Sequence, residues 1–305
     1  MDPVGHAVNL DAYKHFGTSS TKLHHGEHGD ERSLTVNNIE AENRDLGNLR
    51  VLRGGALVTR AMRLLVSVAT AAEAAAALAG GADVIDAKDP LVGALGAVSL
   101  EVLREIHALS AARRPMTAAL GDAADEAAIE RVAFAFAEAG AVFVKVGFGG
   151  VVSADRVASL AAAAVCGAEA GSHRQAGVVA VAYADADRAA SLPPACLLEI
   201  ASRAGARGVL LDTADKNGPG LRALLAQDAL ARWVADAHGK GLLVALAGKL
   251  TSEDLPFIQH VGADIAGVRG AACVGGRAGL VAADKVRQLR ALLDTPDLET
   301  REGLP

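Results

Sequence analysis

Lys88 and Lys145 each sit at the end of a short apolar run, Val84-Ile85-Asp86-Ala87-Lys88 and Val142-Phe143-Val144-Lys145-Val146. Lysine is seldom buried without a partner, so one at the end of an apolar strand calls for a reason. A desolvated lysine near a second cation has a depressed pKa and offers a neutral amine that can attack a carbonyl to form an imine. A third run, Gly208-Val209-Leu210-Leu211-Asp212, ends in a carboxylate, with Lys216 just beyond it. Side chains alternate along a strand, so Asp86 and Lys88 share a face with Val84 beneath them, and Phe143 shares one with Lys145. The valines at 142, 144 and 146 form the opposite face, suited to packing under helices, which points Lys145 inward. The chemistry these residues suggest is imine formation or proton transfer on a carbonyl substrate, with Asp86 or Asp212 shuttling protons. The competing account makes them interior ion pairs that only hold strands together. Desolvation can exceed the Coulomb gain of such pairs, and three lysines with two aspartates exceed what packing needs.

The elements that must position these residues follow a regular rhythm. Strand-like apolar runs occur near 64–68, 83–88, 116–120, 142–146, 177–183, 208–212, 242–247 and 264–268. Helix-like stretches follow at about 70–79, 99–110, 125–139, 153–168, 194–204, 221–237, 252–260 and 282–293. Gly-Ala pairs recur just before strands, at Gly81-Ala82, Gly140-Ala141, Gly205-Ala206 and Gly262-Ala263, where glycine suits the left-handed turn that closes a helix. Eight strand–helix units of this length match an α/β fold of the (β/α)8 TIM-barrel type. A doubly wound sheet is the alternative, but no GxGxxG follows the first strand, and eight even repeats favour closure.

In such a barrel the ends of the strands face the active site, and the loops after strands seven and eight often bind phosphate. Here those loops are glycine-rich: Ala247-Gly248-Lys249-Leu250, then Gly267-Val268-Arg269-Gly270-Ala271-Ala272-Cys273 and Gly275-Gly276-Arg277. Glycine permits close backbone approach, so Gly248 and Gly270 are candidate phosphate contacts, and Arg269 could add a bidentate one. Plain turn chemistry would need the same glycines. Lys249 could touch phosphate or face solvent, and Cys273 reads as a small filler. Glu73, Glu101 and Glu105 read as solvated helix faces, and Trp233 as the anchor of the sixth helix. No histidine of the repeating region is aimed at the barrel mouth.

Residues 1–61 stand apart, with five of the nine histidines, scattered charges and no sustained period, and read as a flexible or irregular extension. The cluster His24-His25-Gly26-Glu27-His28 invites a metal reading, but clustered histidines in a polar tail carry no ligand geometry. Met62 directly precedes the first strand, so the barrel is expected over 62–293, with a polar tail over 294–305.

Composition limits the rest. Hydrophobic residues reach 51% while aromatics are only 3%, so Val, Leu, Ile and Ala must fill the core. A net charge of −6 argues against a nucleic-acid partner, which would favour a basic face. No apolar run of about 18 residues lacks a charge or turn signal, so no membrane span is expected. There is no basic stretch leading into an apolar signal region. Cys166, Cys196 and Cys273 show no paired spacing, which fits a reducing cytoplasm. A homo-oligomer stays open, since nothing in the sequence sets the assembly.

Taken together, IDAKDP (85–90), FVKVGF (143–148), LLDTADKNG (210–218) and GVRGAAC (267–273) resemble segments of the (5-formylfuran-3-yl)methyl phosphate synthases, also called 4-(hydroxymethyl)-2-furancarboxaldehyde-phosphate synthases. The match spans about 62–293, and residues 1–61 lie outside it. The resemblance implies a class I aldolase-like barrel, a lyase that condenses two molecules of glyceraldehyde 3-phosphate to a furan aldehyde phosphate. That product would be the furan precursor of methanofuran or of the related methylofuran. Carried over by motif, Lys88 would form the Schiff base and Lys145 accept the proton. Asp86, Asp212 and Lys216 would complete the polar site, with no metal or organic cofactor and with phosphorylated trioses as the small-molecule partners. Two such substrates need two anion sites, for which Lys216 and the Gly248 and Arg269 loops are the candidates. Another Schiff-base phosphosugar aldolase or isomerase would show the same lysines, and a non-catalytic phosphometabolite-binding barrel is the remaining alternative.

Overall fold

The computed structural model describes residues 62–294. The expected N-terminal extension, its histidine cluster and the tail after Asp294 lie outside the described residues. Eight parallel strands close into one barrel in chain order: β1 (Arg63–Val68), β2 (Val84–Ala87), β3 (Met116–Asp122), β4 (Phe143–Gly147), β5 (Gly177–Tyr183), β6 (Gly208–Asp212), β7 (Leu243–Leu246) and β8 (Ile265–Val268). Closure is made by β1, which pairs with β2 on one side and with β8 on the other. Around it run α1 (Ala71–Ala79), α2 (Leu100–Ser110), α3 (Glu126–Glu138), α4 (Ala154–Gly171), α5 (Pro194–Arg203), α6 (Gln227–Gly239), α7 (Leu255–His260) and α8 (Ala283–Asp294). Short helical turns at 186–189 and 221–224 interrupt two loops, and a small antiparallel hairpin of β9 (Cys273–Val274) and β10 (Leu280–Val281) follows β8.

Local sequence accounts for the helix ends. Thr70, Ser99, Asp125 and Ser153 each accept a backbone N–H of the first helical turn, a cap contributing about 1 kcal/mol. The glycine of each Gly-Ala pair takes a left-handed φ, between 83° at Gly205 and 100° at Gly140, which any side chain would strain. The alternation expected of β2 and β4 holds except at Val142, which lies just before β4 and packs against the inner cluster. Val84 and Phe143 pack with Leu65, Val179, Leu210 and Ile265 inside the barrel, whereas Val144 and Val146 join the outer core beneath the helices. Trp233 is buried on α6 and donates its indole N–H to the Pro194 carbonyl at 3.2 Å, tying α6 to the start of α5.

One expectation about the solvated helix faces fails. Glu73 in α1 is not solvated but only 4% exposed, because Arg269 reaches it from the far end of the barrel sequence.

Candidate active site

Strand register brings the first group of polar residues together. Ser67 of β1 lies opposite Asp86 of β2, and Asp86 lies opposite Thr117 of β3. Ser67 donates its hydroxyl to Asp86 Oδ2 at 2.8 Å, and Thr117 donates to Oδ1 at 2.7 Å. Lys145 Nζ contacts the same Oδ1 at 2.6 Å. Burial pushes the Asp86 carboxyl up, but the charges of Lys145 and Lys88 and these hydrogen bonds outweigh it and hold the group below the ordinary carboxylate range. Asp86 is therefore a buried anion with both oxygens engaged, and it does not line the cavity at the mouth. Its geometry fits it to hold Lys145, and leaves little room to shuttle protons itself.

The second group lies across the barrel. Asp212 ends β6 and takes Lys216 Nζ at 2.6 Å and the Thr213 N–H at 2.7 Å on one oxygen, while its buried Oδ2 has no hydrogen-bond partner. Burial again raises this carboxyl, and Lys216, Lys88 and the hydrogen bonds more than offset it. Asp185, after β5, accepts the N–H groups of Ala214 and Asp215 at 2.7 and 2.8 Å and so fixes the loop that carries Lys216.

Between the two groups stands Lys88. It follows β2 directly, and its own N–H is bound to the Val68 carbonyl at 2.9 Å. The side chain is buried and makes no ion pair or hydrogen bond among the described residues. Burial pulls its amine down, Asp212 and Asp86 pull it back up, Lys145 and Lys216 pull it down again, and it titrates at about 8. At neutral pH a useful fraction of this amine is the free nucleophile.

Lys88, Lys145, Asp212, Lys216, Gly248 and Gly270 all line one cavity of about 270 Å³ at the C-terminal ends of the strands. Ser67, Lys249, Arg269 and Arg277 line it too. Gly248 has a φ of 100° and its neighbour Lys249 one of 60°, so the chain turns back sharply after β7. Lys249 uses that turn to give its ammonium to the Gly218 carbonyl, linking the loops after β7 and β6.

Arg269 departs from the expected role. Its guanidinium donates to Arg277 O, Ser67 O, both oxygens of Glu73 and Gly279 O, at 2.9 to 3.2 Å. All five of its N–H groups are committed to the protein, so a bidentate phosphate contact is not open to it. The sequence assigns no role to Ser67, Thr117, Asp185 or Arg277. Hydroxyls inside apolar strands carry no signature of their own, and Arg277 was masked by the glycines that precede it. Among the described residues, no group of three His, Cys, Asp or Glu is arranged to hold a metal, and no helix is long and apolar enough to cross a membrane.

The family model described as 4-HFC-P synthase matches residues 64–290. A (5-formylfuran-3-yl)methyl phosphate synthase of Methanothermobacter thermautotrophicus is 35% identical over 77% of the chain and 100% of its own length. One of Methanopyrus kandleri is 37% identical over 76% of the chain and 98% of its own. The crystal structure of KGPDC from Streptococcus mutans shares the fold with a TM-score of 0.54 at 17% identity, over 77% of the chain and 98% of that protein.

Proposed function

The chain belongs to the 4-HFC-P synthase family, a family of enzymes, and on that premise we propose that it condenses two molecules of glyceraldehyde 3-phosphate through an imine on Lys88. The observation that carries this reading is the buried Lys88 amine, without ion pair or hydrogen bond, titrating at about 8 in a cavity whose charged lining is cationic but for Asp212. A binding protein would gain nothing from a desolvated, low-titrating amine, whereas imine formation requires one.

In this reading the neutral Lys88 amine adds to the carbonyl of one triose phosphate, and water leaves to give the imine. Lys145, across from Lys88 and anchored by Asp86, gives a proton to the departing hydroxyl and then takes one from the carbon beside the imine. The electron pair moves into the imine and yields an enamine, whose carbon attacks the aldehyde of the second triose phosphate. Asp212, with its free oxygen, holds the resulting hydroxyl, while Lys216 keeps the carboxylate oriented. Ring closure, elimination of one phosphate and loss of water complete the furan, so that two C3 phosphates become one C6 phosphate, one inorganic phosphate and two waters. Hydrolysis of the imine frees Lys88. The cation-lined cavity supports phosphorylated trioses as substrates.

Incubation with glyceraldehyde 3-phosphate alone should yield an ultraviolet-absorbing furan aldehyde, and borohydride added during turnover should leave its label on the peptide containing Lys88. No furan from the purified protein would remove the reaction, and label confined to other lysines, with Lys88→Ala still active, would remove the mechanism.

A further inference from the structure

We infer that Arg277, at the turn of the β9–β10 hairpin, is an anion-binding residue of the cavity and takes a phosphate group of the phosphorylated substrate. The inference rests on the reading of the cavity as a phosphotriose site and adds to it a residue that the motifs did not supply.

Six cationic side chains line the cavity, Lys88, Lys145, Lys216, Lys249, Arg269 and Arg277, against a single carboxylate, Asp212. Most of the six are already neutralised or committed. Lys145 is paired with Asp86, Lys216 with Asp212 and Arg269 with Glu73. Lys249 gives its ammonium to the Gly218 carbonyl and is largely exposed to water. Lys88 is the amine that reacts. That leaves Arg277, which is half-buried and forms no ion pair among the described residues. Its Nη1 donates to the Pro90 carbonyl and its Nη2 to the Gly93 carbonyl at 2.8 Å. These acceptors are neutral, and three of the five guanidinium N–H groups remain for a ligand. The guanidinium is thus partly desolvated without an ion-pair partner; burial moves its pKa down, Asp212 opposes this through space, Arg269 adds to it, and Asp89 opposes it more weakly. A bound phosphate would supply both the missing charge and the missing acceptors, and a planar fork suits it better than an ammonium does.

The two arginines of this region divide the work. Arg269 is locked between Glu73 and the hairpin, and its Nε donates to the carbonyl of Arg277 itself at 2.9 Å. Gly279 lets the hairpin close: a Cβ there would stand 1.8 Å from the Val274 carbonyl oxygen. Arg269 is therefore a positioning residue, and Arg277 the side chain it presents to the cavity. Because Arg277 also grips Pro90 and Gly93, its anion is held on the side of the loop that leaves Lys88.

Inorganic phosphate is the probe, because its binding does not depend on which carbonyl reaction follows. Titration of the full chain should show Arg277→Gln binding phosphate about tenfold or more weakly, with Arg277→Lys between the two, as for loss of a charge-assisted contact. With glyceraldehyde 3-phosphate, KM should rise by a similar factor in Arg277→Gln while the yield of borohydride adduct at saturating substrate stays close to that of the unaltered chain. In the unaltered chain, phosphate should protect Arg277 from phenylglyoxal, a measurement that needs no variant to fold. Unchanged phosphate affinity in Arg277→Gln, or modification of Arg277 that phosphate does not slow, overturns the inference. Loss of protection with furan formation intact sinks this assignment alone. Protection with no furan formed upholds it and sinks the reaction instead.

Discussion

At the N-terminal ends of the strands, Asp83 and Asp264 each precede a strand and accept the backbone N–H of the strand before, from Leu64 and Val244, both at 2.8 Å. Their basic partners are Arg290 at 2.6 Å and His238 at 2.9 Å, both partly open to water. At the C-terminal ends, Asp86 and Asp212 face lysines in much the same way but in full burial. The floor satisfies its charges and lets solvent share them, so they stitch neighbouring strands and do little else. The mouth leaves three things unmet: the Lys88 amine, one oxygen of Asp212 and the charge of Arg277. Unmet polarity in a buried site is costly, and a fold keeps it where a ligand will meet it. The rim pair of Arg269 and Glu73 refines the contrast, since it is buried at the mouth yet fully satisfied. What separates the mouth from the floor is the presence of unfilled bonds, more than burial alone.

Substitution at Lys88 tests this contrast most severely. Lys88→Ala should lower turnover by roughly 10³-fold or more and abolish the trapped adduct, as removal of a covalent nucleophile does. Asp264→Asn at the floor should leave turnover within about twofold, since a partly exposed pair contributes roughly 1 kcal/mol or less to stability. Equal losses would break the comparison.

Glu73→Gln comes next. It leaves Arg269 buried without its anion and should cost about 3 kcal/mol, read as a lower urea midpoint at unchanged slope. No change in midpoint would mean that the rim pair is dispensable.

A smaller effect is expected at Asp212. Its charge is the strongest influence raising the Lys88 amine, which titrates at about 8. Asp212→Asn should therefore move the acid limb of borohydride trapping to lower pH, because the amine becomes free earlier. A limb that moves upward would contradict the charge arrangement drawn at the mouth.

The smallest effect belongs to His238. Asp264 raises its pKa, so the contribution to stability is fully present below the unfolded histidine value of about 6.5 and fades as pH rises through the higher folded value. His238→Ala should lose no more than about 1 kcal/mol near pH 5 and almost nothing near pH 9, measured by denaturant midpoints. A loss that grows with pH would sink the assignment.

Much of this molecule was legible from sequence. The eight strands and helices fall within a few residues of their expected places, apart from a helix-like stretch at 221–237 that divides into a short turn and α6. Apolar runs and Gly-Ala pairs are local signals, and the barrel repeats them. Lys88, Lys145, Asp86 and Asp212 stood out because a charge ending an apolar strand conflicts with its neighbours. What stayed hidden depends on partners distant in sequence. Glu73 looked like any acidic residue in a first helical turn until Arg269, 196 residues away, covered it. Arg269 and Arg277 could not be told apart without knowing which of their N–H groups were already taken. Ser67 and Thr117 needed the strand register to be seen beside Asp86.

The seam at which β1 meets β8 has a consequence for how the chain reaches this state. One wall of β1 cannot be filled until Ile265–Val268 has been made, and the Arg269–Glu73 pair must wait for the same segment. A chain emerging N-terminus first exposes an unpaired strand edge through nearly the whole of its synthesis, and pairings of such long sequence separation form slowly. The Ser67 carbonyl, at the seam, waits on that last step for the Arg269 guanidinium, as does the hairpin that carries Arg277. The mouth of the barrel is therefore assembled last, and a nascent chain stopped before Val268 holds Lys88 and Lys145 without the closed cavity that surrounds them in the finished fold.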